Sequence, residues 1–318
     1  MSVRRIRKLV RVGDRFGDGL LRGLSLLAAV LACVLILVIA YQLAHGSHAA
    51  VSKFGLGFLT HSQWRPNFDD FGATTLLFGT AVSSLMALLL ATPLAIAIGL
   101  YLSLLAPRGV RGSVGALVEM LAAVPSVILG FWGIVVLGPV LRDHVEPWLH
   151  GAFGFLPIFG EPASSGSSVF TAGLILTIMV VPIIASVSRD LFLTVPRELQ
   201  DGAAALGATR WEIVRGVVLP STASGVASAA FLGLGRALGE AIAVTQVIGA
   251  GNEVHASLFA TGDTLASRVA NQFQGATSAL HTSALFYLAL VLLAIGLATN
   301  LLAQWIARRF DTARLMAR

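Results

Sequence analysis

The chain alternates long uncharged apolar runs with short segments of polar and turn-forming residues. Six runs are long enough to cross a bilayer: Leu24 to Leu43, Gly72 to Leu105, Val114 to Leu141, Val169 to Val187, Ser221 to Ile248 and Ala284 to Ile306. About 20 residues at about 1.5 Å rise cross a hydrocarbon core of about 30 Å. The pattern therefore predicts an all-α integral membrane fold with six transmembrane helices. The second run carries no charge between Asp70 and Arg108. It is too long for one upright crossing and predicts a helix that tilts or extends past the bilayer, with a kink at Pro93. In the last external segment Leu265, Val269 and Phe273 recur at helical spacing after Asp263, which predicts a short amphipathic helix capped by that aspartate.

Composition narrows the class. Hydrophobic residues make up 56% of the 318 positions and charged residues 12%, against about 25% charged in soluble domains, which excludes an ordinary soluble fold. The formal charge of +6 does not point to nucleic acid, because the basic residues gather at the ends of the apolar runs. Arg4, Arg5, Arg7, Lys8, Arg11, Arg15 and Arg22 precede the first run, and Arg108 and Arg111 sit in the Pro107 to Ser113 turn. Arg189, Arg197, Arg210 and Arg215 occupy the Arg189 to Leu219 loop, and Arg308, Arg309, Arg314 and Arg318 the C-terminal tail. The loops of the opposite side hold only Lys53, Arg65, Arg142 and Arg268. Because basic residues favour cytoplasmic loops, both termini are assigned to the cytoplasm of a cell membrane. The basic flank and the first run look like a signal peptide, but the apolar core exceeds the usual 7 to 15 residues or so and predicts an uncleaved helix. The lone Cys33 permits no intrachain disulfide and is read as a packing residue.

The soluble segment with most internal order is Val195 to Pro220, VPRELQDGAAALGATRWEIVRGVVLP. Pro196 suits the first position of a helix, and Leu199, Ala203 and Leu206 then share a face. Gly207 can adopt the left-handed conformation that ends a helix, and Thr209 with Glu212 has the T-x-x-E spacing of a capping box that starts the next. This predicts a short rigid helix with an exposed apolar face, the mark of a docking surface. The segment is similar to the EAA---G---------I-LP motif of ABC importer permeases through Asp201-Gly202-Ala203, Gly207 and Val217-x-Leu219-Pro220, with Asp for Glu, Gly for the first Ala and Val for Ile. The resemblance implies that this helix docks into a cleft of a cytoplasmic ATPase. No G-x-x-x-x-G-K-[ST] phosphate loop occurs in the chain, so ATP would be hydrolysed elsewhere.

One run carries paired charges: Arg236 and Glu240, four residues apart, lie in the fifth. Charges at membrane depth face the bundle interior or an aqueous path. As helix neighbours they can pair, and the pair either locks two helices together or presents Arg236, whose planar fork suits phosphate, to an anion. Glu119, near the start of the third run, is read as a structural interfacial residue. The segments GLGRALGEAIAVTQVIGA, Gly233 to Ala250, and LAAVPSVILGFWG, Leu121 to Gly133, resemble the C-type permease subunits of Pst phosphate importers. The similarity runs from about Gly72 to the C-terminus. It implies a type I ABC permease domain over residues 72–318, preceded by a cytoplasmic N-terminus, membrane helix and external loop over residues 1–71.

It also implies a substrate path that includes Arg236, Glu240 and Ser126, and ATPase coupling through Leu199, Asp201, Gly202, Ala203, Leu206, Gly207, Leu219 and Pro220. The implied partners are a related A-type permease, two ATPase subunits that use ATP and Mg, an extracytoplasmic phosphate-binding protein and phosphate itself. The chain binds no cofactor or metal of its own on this reading, and it is a transport subunit rather than an enzyme. Another oxyanion such as sulfate or molybdate, or proton-coupled secondary transport through Glu240, stands as the alternative.

Overall fold

The computed structural model describes residues 3–309. Arg314 and Arg318, used in assigning topology, lie outside the described residues, as do the side chains of Arg4, Arg5, Arg7, Lys8, Arg11, Arg15, Arg108 and Arg309. The chain forms α1 (Val3–Gly46), α2 (His48–Phe54), a two-residue antiparallel ribbon of β1 (Trp64–Arg65) and β2 (Asp70–Phe71), and α3 (Thr74–Leu100). There follow α4 (Arg108–Ala122), α5 (Ser126–Phe153), α6 (Val169–Leu193), α7 (Arg197–Ala205) and α8 (Arg210–Leu238). The chain ends in α9 (Ile242–Val247), α10 (Leu265–Gln272) and α11 (Ala279–Arg309). Among the described residues six helices are long and apolar enough to cross a membrane: α1 from Gly17, α3 with its extension to Leu105, α5, α6, α8 and α11 to Ile306.

Helix α6 is the axis of the bundle, packed against α3, α4, α8 and α9. Its Ile175, Leu176, Val180 and Ile184 are buried against Ala87, Ala91 and Ala95 of α3. Alanine at every fourth position gives α3 a flat face, which lets the two backbones approach closely. A separate cluster, built on Phe58, Trp64, Phe71, Leu265, Leu285 and Leu288, ties the ribbon and α10 to the start of α11. Helix α1 joins the bundle against α11, its Leu and Val side chains exposed along most of the span. Cys33, read as a packing residue, is exposed on that helix, and no described residue of this chain covers it.

Four helical stretches widen into single π turns: Tyr101–Leu105, Gly133–Leu137, Leu141–Val145 and Val214–Val218. Each ends two residues before a proline, namely Pro107, Pro139, Pro147 and Pro220. A proline cannot donate to the carbonyl four residues back and its ring collides with it. Where the helix runs on through the proline, at Pro139, Pro147 and Pro220, that carbonyl sits at the centre of the widened turn and the π geometry moves it aside; Pro107 lies past its helix, which ends before the extended Ala106 (ψ 133).

Two runs end elsewhere than the hydropathy predicts. The third, expected over Val114 to Leu141, is split: α4 stops at Ala122 and α5 starts at Ser126 after Pro125 (φ −58, ψ 135). Proline removes an amide donor and drives the residue before it out of helical geometry. Helix α5 then continues past Leu141 to Phe153, with Arg142 and Asp143 paired at 2.7 Å on its exposed side. The fifth run, expected to reach Ile248, breaks after Leu238 and resumes as α9. Pro93 lies within an unbroken α3.

Candidate functional site

The docking segment is built from local signals. Pro196 takes the N-cap position of α7 rather than its first helical position. Leu206 closes the helix, and Gly207 follows at φ +89, a conformation that L side chains rarely adopt. The amide of Thr209 then donates to Glu212 Oε2 at 2.7 Å while Thr209 Oγ1 accepts from the Glu212 amide, which completes the capping box and starts α8. Helix α7 buries none of its side chains. Leu206 is 91% exposed, and Leu199 and Trp211 are also exposed, so together they present an apolar knob. Asp201 and Gly202 lie on the exposed side and Ala203 is half-buried. Leu219 and Pro220 are not on the knob: Leu219 packs with Phe192, Val195 and Val218, and Pro220 follows the π turn of α8.

The membrane charges lie at the second break. Arg236 occupies the last turn of α8, whereas Glu240 lies beyond the helix end, so the two do not share a helical face as their spacing suggested. They still pair, Arg236 Nη2 to Glu240 Oε2 at 3.1 Å, with Arg236 47% exposed and Glu240 4%. Glu240 Oε1 meanwhile accepts the Ala243 amide at 3.2 Å, so the carboxylate caps the first turn of α9. That turn is held against α5: a Cβ at Gly130 would lie 2.8 Å from the Ala243 Cα, a crossing only glycine allows. Ser126 sits half-buried in the first turn of α5, about one turn before Gly130, and makes no side-chain hydrogen bond among the described residues. The two helix breaks are thus joined by one glycine-mediated crossing. Arg236 opens onto a cavity of about 670 Å³ between α6, α8 and α11, whose wall also includes Ser228, Thr299, Asn300 and Gln304.

Two buried charged groups escaped the sequence reasoning. Arg268, which reads as an external-loop cation, is buried and donates through Nε to Asp263 Oδ2 at 2.6 Å and through Nη2 to Asn252 Oδ1 at 2.6 Å. Asp263 Oδ1 accepts the Thr264 amide, and Thr264, not Asp263, caps α10 by accepting the Ser267 amide at 3.1 Å. A five-residue separation from an acid at a helix start was the available signal. Glu146 is fully buried in α5, with Ser168 Oγ donating to its Oε1 at 3.3 Å. Nothing near it in the sequence marks it. Glu119 is exposed and pairs with Arg189 at 2.9 Å.

A membrane bundle with broken helices at a charged pair, and with a capped, projecting apolar knob, is the arrangement of a transporter's membrane component. Residues 91–312 match the family model described as the binding-protein-dependent transport system inner membrane component, and the chain belongs to that family. It is 40% identical over 298 residues to the phosphate transport system permease protein PstC of Mesorhizobium japonicum, covering 92% of this chain and 91% of that one. With the protein of the same name from Pasteurella multocida the identity is 43% over 270 residues, 84% of each chain. Among solved structures, a bacterial alginate ABC transporter bound to an alginate pentasaccharide-loaded periplasmic protein matches with a TM-score of 0.60 at 20% identity, over 90% of this chain and 95% of that one. The MetNI methionine ABC transporter matches at 0.54 and 18% identity, over 74% and 96%. These two establish the type I ABC permease fold alone.

Proposed function

We propose that the chain is the transmembrane permease subunit of an ATP-driven inorganic phosphate importer. Arg236 carries this reading: a membrane-embedded guanidinium, half open to a cavity of about 670 Å³, in a chain whose relatives are phosphate permeases. Both termini and α7 face the cytoplasm on this reading, following the basic-residue distribution. The Leu199 and Leu206 knob seats in one of two partner ATPases that bind ATP and Mg. A related A-type permease completes the path, and an external phosphate-binding protein delivers the anion to it.

Closure of the ATPases pushes α7, and the rigid capped joint passes that motion to α8, whose far end bears Arg236. There Arg236 attracts the anion, and Glu240 keeps the guanidinium paired while the path is empty. At neutral pH phosphate retains a proton that a carboxylate can accept as a hydrogen bond, whereas sulfate has none and is repelled. Ser126 adds a hydroxyl at the first break, one turn before the Gly130 crossing.

The test is ATP-dependent uptake in vesicles holding the complete complex, with saturating binding protein. Arg236→Ala should abolish phosphate uptake while assembly persists, and Glu240→Gln should weaken it while admitting more sulfate. Normal phosphate uptake by Arg236→Ala would leave the pair as a helix lock.

A further inference from the structure

Two neighbouring cavities, of about 330 and about 360 Å³, share Arg111 of α4. In the second the neighbouring charges cancel, since Arg189 pairs with Glu119 and with Asp190, each at 2.9 Å. Arg111 pairs with none of the described carboxylates. Among the described residues no carboxylate pairs with Arg197 either, the first residue of α7, which also lines the 330 Å³ cavity. The Arg111 Nε is buried without an acceptor. A guanidinium keeps its charge in proteins, and a buried donor left without an acceptor is destabilising, more so when charged. An anion in the cavity removes that cost.

The other groups in the cavity wall say which anion. Ser103 Oγ already donates to the Leu100 carbonyl, and Gln200 Nε2 donates to the Val195 carbonyl. Beyond these bonds Ser103 Oγ and Gln200 Oε1 offer lone pairs, Gln200 keeps one further amide N–H, and Asp201 adds a carboxylate acceptor. Two cationic forks facing a set of acceptors suit an oxyanion that still carries an ionisable proton. A sulfate or a lipid phosphodiester satisfies the forks but has no proton for the acceptors.

We propose that Arg111 and Arg197 form a binding site for inorganic phosphate or a phosphomonoester, and that an occupied site clamps the first turn of α7 to α4. Binding follows from the geometry alone. The consequence for transport rests on the importer reading: phosphate accumulating on the α7 side would hold the docking helix still and slow its own import.

The binding test uses the complete complex in nanodiscs of zwitterionic lipid, in the Arg236→Ala background so that the path does not contribute. Labelled inorganic phosphate should bind there and resist displacement by sulfate. Arg111→Gln and Arg197→Gln should each weaken that binding about tenfold, the loss of one charge-assisted contact, and Arg111→Lys should fall between. Unchanged binding in both variants overturns the proposal. So does a site that takes no inorganic phosphate but is stabilised through Arg111 by anionic phospholipid, which would make it a headgroup contact. The transport arm compares uptake into proteoliposomes loaded with and without phosphate on the α7 side, using Arg236 intact. The parent should be inhibited several-fold and Arg111→Gln should not. Equal inhibition of both overturns the clamp, whereas a parent that takes up no phosphate at all refutes the importer reading and leaves the binding result standing.

Discussion

Gly207 offers the sharpest perturbation of the coupling joint. Its φ of +89 is the point at which the chain turns from α7 into α8. A Cβ built there meets no atom within 4 Å, so a side chain would clash with nothing and the whole cost is backbone conformation. Left-handed geometry costs a non-glycine residue about 1–2 kcal/mol, and a β-branched one stands at the upper end. That depopulates the observed orientation of the Leu199 and Leu206 knob about 5- to 30-fold. Gly207→Val should therefore insert normally yet lose most ATPase copurification and substrate-stimulated ATP hydrolysis, and Gly207→Asn should lose much less. Gly202→Ala is the control from the same segment. It is also free of contacts, but it lies inside α7, where alanine stabilises a helix by about 1 kcal/mol relative to glycine. Coupling in Gly202→Ala should be retained or improved. Full coupling in Gly207→Val, or equal losses in the two variants, would refute the claim that the turn orients the knob.

Three further outcomes follow from the contacts. Asp263→Asn strands the buried Arg268 beside Asn252 and should lower stability by about 3–5 kcal/mol in thermal unfolding of the solubilised protein, whereas Asp143→Asn, at an exposed pair, should cost less than about 1 kcal/mol. Gly130→Leu drives a side chain into the Ala243 backbone and should cost about 1–3 kcal/mol or more, with uptake lost because α9 and its Glu240 cap are pushed off α5. On a Cys33→Ala background, an impermeant thiol reagent applied to intact cells should label Phe155→Cys and spare Ala204→Cys, both at exposed positions; the reverse would invert the topology.

The parts of the molecule that could be read from sequence are those whose cause is local. Uncharged length marks the spans, and Gly207 with the Thr209 and Glu212 box marks the joint, because caps and left-handed turns are decided by a few adjacent residues. The helix breaks were harder. The apolar run continues through Ala123, Val124 and Pro125, and at the second break Arg236 and Glu240 mark a site without marking a helix end, so hydropathy alone cannot distinguish one helix from two. Pro125 was a visible breaker that the apolar run masked. Glu240 was legible as a partner of Arg236 but not as the cap of α9, since its role depends on a helix whose start is fixed by the crossing at Gly130. Arg268 could not be placed inside the protein from sequence, because burial of a loop cation is set by the tertiary neighbours Asp263, Asn252 and Trp64.

The widened turn before Pro220 has a rotational consequence. A π turn absorbs one residue more than the α turn it replaces, so side chains on its two sides keep an angular relation that a plain helix of the same sequence would miss by about 100°, the angle of one residue at 3.6 per turn. The end of α8 nearest the docking knob and the end bearing Arg236 are therefore set in phase by the ring of one proline. Pro220 acts as an indexing pin: were the turn to tighten, Arg236 would be aimed away from the cavity it now lines.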